Sequence, residues 1–133
     1  MKKTTALSII TVLLAILAVF QLALILGVPW GKAAWGGQEE VLATEFRVAS
    51  AINIIIYALV LWVARRRISK PDGRGFRIAA WIIFVYFCLG VLLNLASRSA
   101  IERIWVPVTL LLSWAFFVVA RDKKPPPLTN EMR

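Results

Sequence analysis

The chain has 133 residues, 60% of them hydrophobic, and a formal net charge of +9; its mean hydropathy is +0.77. A water-soluble fold of this length cannot bury so much apolar surface, so lipid has to be the solvent for most of it. The cations fall between the apolar runs and not on one face, which argues against a nucleic-acid partner. Histidine is absent and Cys88 is the single cysteine, which excludes disulfide frameworks, CxxC redox pairs, His-ligated haem and zinc sites of the usual spacing, so neither cofactor nor metal is expected.

Residues 7–28 form the first apolar run, with Thr11 and Gln21 as its clear polar interruptions. About 20 such residues cross the hydrocarbon of a bilayer. The run follows Met1-Lys2-Lys3 but exceeds a signal-peptide core, and Gly31-Lys32-Ala33-Ala34-Trp35 is a poor Ala-x-Ala cleavage site, so it reads as a retained helix. Pro29-Trp30-Gly31 is expected to end it. Trp30 and Trp35 suit the headgroup level, and Gly36-Gly37 breaks the chain again before Gln38-Glu39-Glu40, whose carboxylates favour a helix N-terminus. The second helix is read over 47–64, stopping at Arg65-Arg66-Arg67.

Between Arg65 and Arg77, the turn residues Pro71-Asp72-Gly73 stand among cations and predict a short solvated hairpin connection. A third helix is predicted over 76–96 and a fourth over 101–120. Pro107 lies near the start of the fourth and should either kink it or mark its true beginning. Residues 1–124 make one four-helix domain; the polyproline-like residues 125–133 are expected to be a disordered cytoplasmic tail. The fold class expected is thus all-α, an integral membrane bundle of four transmembrane helices.

Cations orient the bundle. Lys2 and Lys3, six Lys or Arg in the second connection and four in the tail lie on one side, against Lys32 and Arg47 in the first connection and Arg98 and Arg103 in the third. By the positive-inside rule the richer side is cytoplasmic, which puts both termini inside (N-in/C-in) a plasma membrane or bacterial inner membrane.

Each helix carries one polar or small-residue seam: Thr11, Ala18 and Gln21; Ser50, Asn53 and Tyr57; Tyr86, Gly90, Asn94 and Ser97; Glu102, Trp105, Thr109 and Ser113. At 1.5 Å per residue, Gln21, Asn53, Asn94 and Thr109 come within roughly 10 Å of the extracytoplasmic helix ends. Polar groups are costly against lipid. Asn53 and Asn94 are therefore expected to face one another across the interior, with Gln21 and Thr109 close by. The same residues with Tyr57, Trp30, Trp35 and Trp105 as a roof, and Arg98 and Glu102 at the edge, form a candidate ligand pocket; interhelical hydrogen bonding alone would also explain the seams. Ser99 and Glu102 have capping-box spacing, so Ser99→Ala is expected to cost about 1 kcal/mol and Glu102→Gln less.

Several chemistries are excluded by residues that are missing. Proton-coupled export by a small four-helix bundle needs a carboxylate in the first helix, where this chain offers Gln21. A lipid-modifying enzyme would have to rely on Glu102, with Arg98 and Arg103 holding an anionic headgroup. A single four-helix bundle with a packed core is too thin to enclose an aqueous path, so transport would require an oligomer. The expected function is a non-catalytic multi-pass membrane protein that binds a lipid or lipophilic ligand or stabilises a membrane complex. Its expected partners are membrane lipids, a lipophilic small molecule, and a second copy or a membrane partner protein.

Overall fold

The computed structural model of the chain describes residues 1–122; the tail expected over 125–133 lies outside the described residues. Four helices follow one another: α1 (Lys3–Ile25), α2 (Thr44–Ser69), α3 (Arg74–Ala96) and α4 (Trp105–Arg121). Single 3-10 turns stand at Gly31–Ala33 and Glu102–Ile104. Counting α4 from its leading turn at Glu102, each helix is long and apolar enough to cross a membrane, as the sequence leads one to expect of a membrane helical bundle.

The helix ends differ from the sequence expectation in ways that local chemistry explains. Gly27, and not Pro29-Trp30-Gly31, ends α1. Its φ of +87° lets the Gly27 N–H donate to the Leu24 carbonyl at 3.1 Å and the Val28 N–H to the Ala23 carbonyl at 3.0 Å. This pair of bonds closes the helix in a Schellman motif before proline is reached. At its other end α2 continues through Arg65-Arg66-Arg67 to Ser69, because arginine is a good helix former and cations are favoured at a helix C-terminus. Pro107 occupies the first turn of α4, where no intrahelical N–H is required, so it marks a start and not a kink.

α1 packs on α2 and α4, and α3 packs most extensively on α4 and more sparingly on α2. The result is a four-cornered bundle whose neighbours along the chain are neighbours in space. Lys3 Nζ meets Asp122 Oδ2 at 3.2 Å, so both ends of the described chain lie with the α2–α3 hairpin at one end of the bundle, here the terminal end. The connections over 26–43 and 97–104 form the distal end.

The core follows from seams at three- and four-residue spacing. α1 contributes Ala6, Ile10, Leu14 and Leu17, α2 Val60 and Ala64, α3 Ala80 and Phe87, and α4 Leu112, Phe116 and Val119. Phe87 and Phe116 stack with centroids 5.6 Å apart. The opposite faces are apolar too: Leu93 of α3 is 73% exposed and Val19 of α1 66%. Such faces are favourable against hydrocarbon and unfavourable against water.

Gln21 and Arg67 stand in these same stripes. Ser50, Asn53, Tyr57, Val60, Ala64 and Arg67 run along one face of α2, so Arg67 is carried inward and is only 1% exposed. Its guanidinium donates to the carbonyls of Pro71 (3.0 Å), Ala120 (3.4 Å) and Asp122. One side chain thus binds the hairpin to the end of α4, and a cation at a helix C-terminus is favoured there by the macrodipole. The solvated connection expected at this point is solvated only in part.

Candidate functional site

At the distal end the seams meet only in part. Between them they leave an open cavity of about 220 Å³. α1 supplies Leu17, Phe20 and Gln21, α2 Asn53 and Tyr57, and α3 Tyr86, Phe87, Gly90 and Asn94. Trp105 and Thr109 of α4 complete the wall, and Ala33, Ala34 and Trp35 lie across it from the first connection. Asn53 and Asn94 therefore share one cavity with Gln21 and Thr109 close by, the arrangement expected from depth and helical face.

The hydrogen bonds separate these polar groups into two kinds. Thr109 Oγ1 donates to the Trp105 carbonyl of its own helix at 2.9 Å, and Asn94 Nδ2 donates to the Gly90 carbonyl at 2.9 Å. Both follow the familiar route of a short polar side chain bonding back one turn. Gln21 is different: 7% exposed, it donates through Nε2 to Tyr57 Oη at a long 3.4 Å, and its Oε1 is buried without a partner. Turning the amide over would let the Tyr57 hydroxyl donate to the oxygen but leave the NH2 group without that partner. As placed, the oxygen end of the Gln21 amide is unsatisfied on the cavity wall. Asn53, across from it, makes no side-chain hydrogen bond among the described residues.

The roof is tied down by its aromatic residues. Trp105 Nε1 donates to the Ala33 carbonyl at 2.7 Å, and Trp35 Nε1 donates to the fully buried Ser50 hydroxyl at 3.3 Å. Phe20 and Trp105 lie 4.7 Å apart by centroid. Trp35, Gly36 and Gly37 are all left-handed, with φ of 53°, 88° and 67°. That conformation is strained for tryptophan, and it turns the Gly36 N–H toward Glu102 Oε1 at 2.7 Å. Glu102 Oε2 also accepts from the Ser97 hydroxyl.

Glu102 is consequently buried at the junction of the two distal connections and does not line the cavity. One half of the capping box forms, and the other is replaced by this latch. The Glu102 N–H donates to Ser99 Oγ at 3.4 Å, whose own hydroxyl donates to the Lys32 carbonyl at 2.8 Å, while the Ser99 N–H goes to Ser97 Oγ at 3.1 Å and not to the Glu102 carboxylate. The carboxylate accepts one bond from across the junction and one from Ser97 of its own connection, and does not reach back to its own cap.

Of the remaining site candidates, Trp30 stacks on the outer side of Phe20 at 6.3 Å, in a separate groove with Ile101 and Ile104. Arg98 is exposed and does not line the cavity. Gln21, Trp35, Asn53, Tyr57, Asn94, Trp105 and Thr109 are brought together; Trp30, Arg98 and Glu102 are not. Leu17, Phe20 and Phe87 escape sequence reasoning because an apolar residue on a seam gives no sign of whether it packs or lines a void. Among the described residues, no charged side chain lines the cavity, and no group of three or more His, Cys, Asp or Glu is placed to hold a metal. What the arrangement can do chemically is hold a neutral group with a hydrogen-bonding end. No protein-family model matches the chain, and comparison with curated proteins and with solved structures likewise finds no match.

Proposed function

We propose that the protein is a non-catalytic multi-pass membrane protein, with both termini cytoplasmic, that holds a small neutral amphiphile in the cavity of its outer half. The observation that carries this reading is the Gln21 amide, buried and unsatisfied at one end, on the wall of a largely apolar and aromatic cavity that it shares with Asn53, Tyr57, Asn94 and Thr109. A buried amide without a partner costs about 1–3 kcal/mol, so a chain that keeps one there gains by having it met by a ligand or water. Size limits the guest. A void of about 150 Å³ accepts benzene, whereas drug-sized ligands need about 300 Å³ or more. At about 220 Å³, a single ring or a short chain with one hydroxyl or amide fits. The absence of a lining charge favours a neutral guest over an anion.

Native mass spectrometry of the full chain taken from its own membrane tests this directly. A retained small molecule is expected in the wild type, lost in Gln21→Leu and in Asn53→Leu with Asn94→Leu, while thermal stability in detergent is kept or raised. Destabilisation of those variants with no retained mass in the wild type would instead make the seams packing contacts, as in a subunit that only stabilises a complex. Orientation is read separately, from single cysteines in a Cys88→Ala background. Gln38→Cys should label on intact cells, and Gly75→Cys only after permeabilisation; both positions are exposed, and a Cβ at Gly75 meets nothing within 4 Å.

A further inference from the structure

At the terminal end, α3 and α4 leave between them a second cleft, about 650 Å³ in volume. Arg74, Arg77 and Arg121 line it, with Trp81 at its inner edge. Positions 74, 77 and 81 share one face of α3, so two guanidiniums stand at the helix mouth and the indole about 10 Å further along. Arg121 closes in from the last turn of α4, its guanidinium carbon 5.2 Å from the Phe117 ring centroid. Phe117 in turn meets Trp81 with centroids 5.9 Å apart.

Charge in this region is unbalanced. All three arginines are exposed, and none takes part in an ion pair among the described residues. Asp72 and Asp122 also line the cleft; Asp122 already meets Lys3 at 3.2 Å, and its carbonyl accepts from the buried Arg67. Among the described residues, then, three arginines and two aspartates line the cleft, and Lys3 and Arg67 reach Asp122 from beside it. α3 also begins here with no side-chain cap and no acid in its first turn, which adds the positive potential of its free N–H groups.

Guanidinium forks match phosphate oxygens, and an indole beside them suits the level where a headgroup meets its acyl chains. A free phosphate would use the cations and leave the aromatic edge idle. We propose that the cleft of Arg74, Arg77 and Arg121 binds the phosphate of an anionic phospholipid, whose acyl chains descend past Trp81 and Phe117. The site requires only that the chain spans a bilayer and is independent of any ligand in the distal cavity. With both termini cytoplasmic it faces the leaflet that carries anionic lipid.

The test uses the full chain in nanodiscs of equal parts phosphatidylcholine and phosphatidylglycerol, with lipid retention read by native mass spectrometry. Phosphatidylglycerol is expected to dominate the retained lipid, and each of Arg74→Gln, Arg77→Gln and Arg121→Gln to lower it about fivefold. Arg77→Lys should keep most of it. Arg66→Gln removes an exposed cation of α2 that lies outside the cleft and should change nothing. Circular dichroism identifies any variant that fails to fold; Arg121→Gln, at the last residue of α4, then serves in place of the α3 variants. Equal retention of the two lipids, or a loss with Arg66→Gln as large as with Arg77→Gln, overturns the proposal. Complete displacement by millimolar inorganic phosphate would assign the cleft to the free anion and overturn it too.

Discussion

The two ends of the bundle are each held by one buried charged side chain, and the two do opposite things. At the terminal end Arg67 donates to three backbone carbonyls and closes the hairpin onto α4, above a packed core of Ala64, Phe116 and Ala120. At the distal end Glu102 accepts from the Gly36 N–H and the Ser97 hydroxyl, fastening two connections together across the mouth of a cavity. A cation suits carbonyls at helix C-termini; a carboxylate suits N–H and O–H donors presented by irregular chain. The comparison teaches that at one end a cation pins the hairpin to α4, beside a cleft that opens between α3 and α4, and that at the other a carboxylate fastens a roof over a space which the helices leave unfilled.

The largest effect should come from breaking the closed end. Arg67→Ala strands three carbonyls around a void and is expected to cost about 3 kcal/mol or more in thermal unfolding in detergent. Its neighbour Arg66, exposed beside the Trp62 ring at 5.7 Å, should lose under about 0.5 kcal/mol on the same change. Similar costs for the two would show that the inward phase of α2 is wrong.

Releasing the roof should cost less. Glu102→Ala leaves the Gly36 N–H without its acceptor, and a loss of about 2 kcal/mol is expected, with faster hydrogen exchange confined to the distal connections. Glu102→Gln keeps one acceptor oxygen and can donate to Ser97, so about 1 kcal/mol is expected. That exceeds the cost inferred from a capping box. Unchanged exchange at Gly36 in Glu102→Ala would remove the latch from the account.

Glycine substitutions sharpen the contrast further. At Gly37 a Cβ would lie 2.5 Å from Ser99 Cβ, at a φ of +67°, so Gly37→Ala should destabilise by about 1–3 kcal/mol. At Gly75, in the first turn of α3, the same change meets open space and should stabilise by up to about 1 kcal/mol. Opposite signs are expected in the two melting curves.

The smallest effect belongs to the distal surface. Lys32 Nζ meets Glu40 Oε1 at 2.8 Å, and this hydrogen bond and charge hold the Glu40 carboxyl below its ordinary pKa. A depressed folded-state pKa means that the pair's contribution is present above the unfolded value and is lost as pH falls through the folded one. The melting difference between wild type and Glu40→Gln should therefore be slight at neutral pH and vanish in acid. A difference that grows on acidification would reverse the sign of the interaction.

Much of the fold was legible because its cause is local. Leu7 to Val28 and its three counterparts are apolar over a membrane's width, and any such run must become helix to satisfy its backbone in lipid. The shared depth of Gln21, Asn53, Asn94 and Thr109 was legible as well, since helical rise and phase are set by residue number alone. Even the burial of Arg67 was readable from the seam Ser50, Asn53, Tyr57, Val60, Ala64, but a run of three arginines masked which one lies in phase. Less legible were the helix ends: Gly27 closes α1 by a backbone conformation that a glycine permits but does not require.

What the sequence alone determined, then, is the number of helices, their spans to within about a turn and a half, and which polar residues lie level with one another. Only the tertiary structure decided that Glu102 serves the roof and not the cavity, that Trp30 stays outside while Trp35 lies across the top, and that the Gln21 amide is left unsatisfied where Thr109 and Asn94 bond back to their own helices. The physical reason is that hydrophobic periodicity fixes direction, whereas hydrogen bonding is a competition among partners. The Glu102 carboxylate had its own Ser99 N–H within sequence reach, and it went to the Gly36 N–H instead, a donor 66 residues away that only folding brought near.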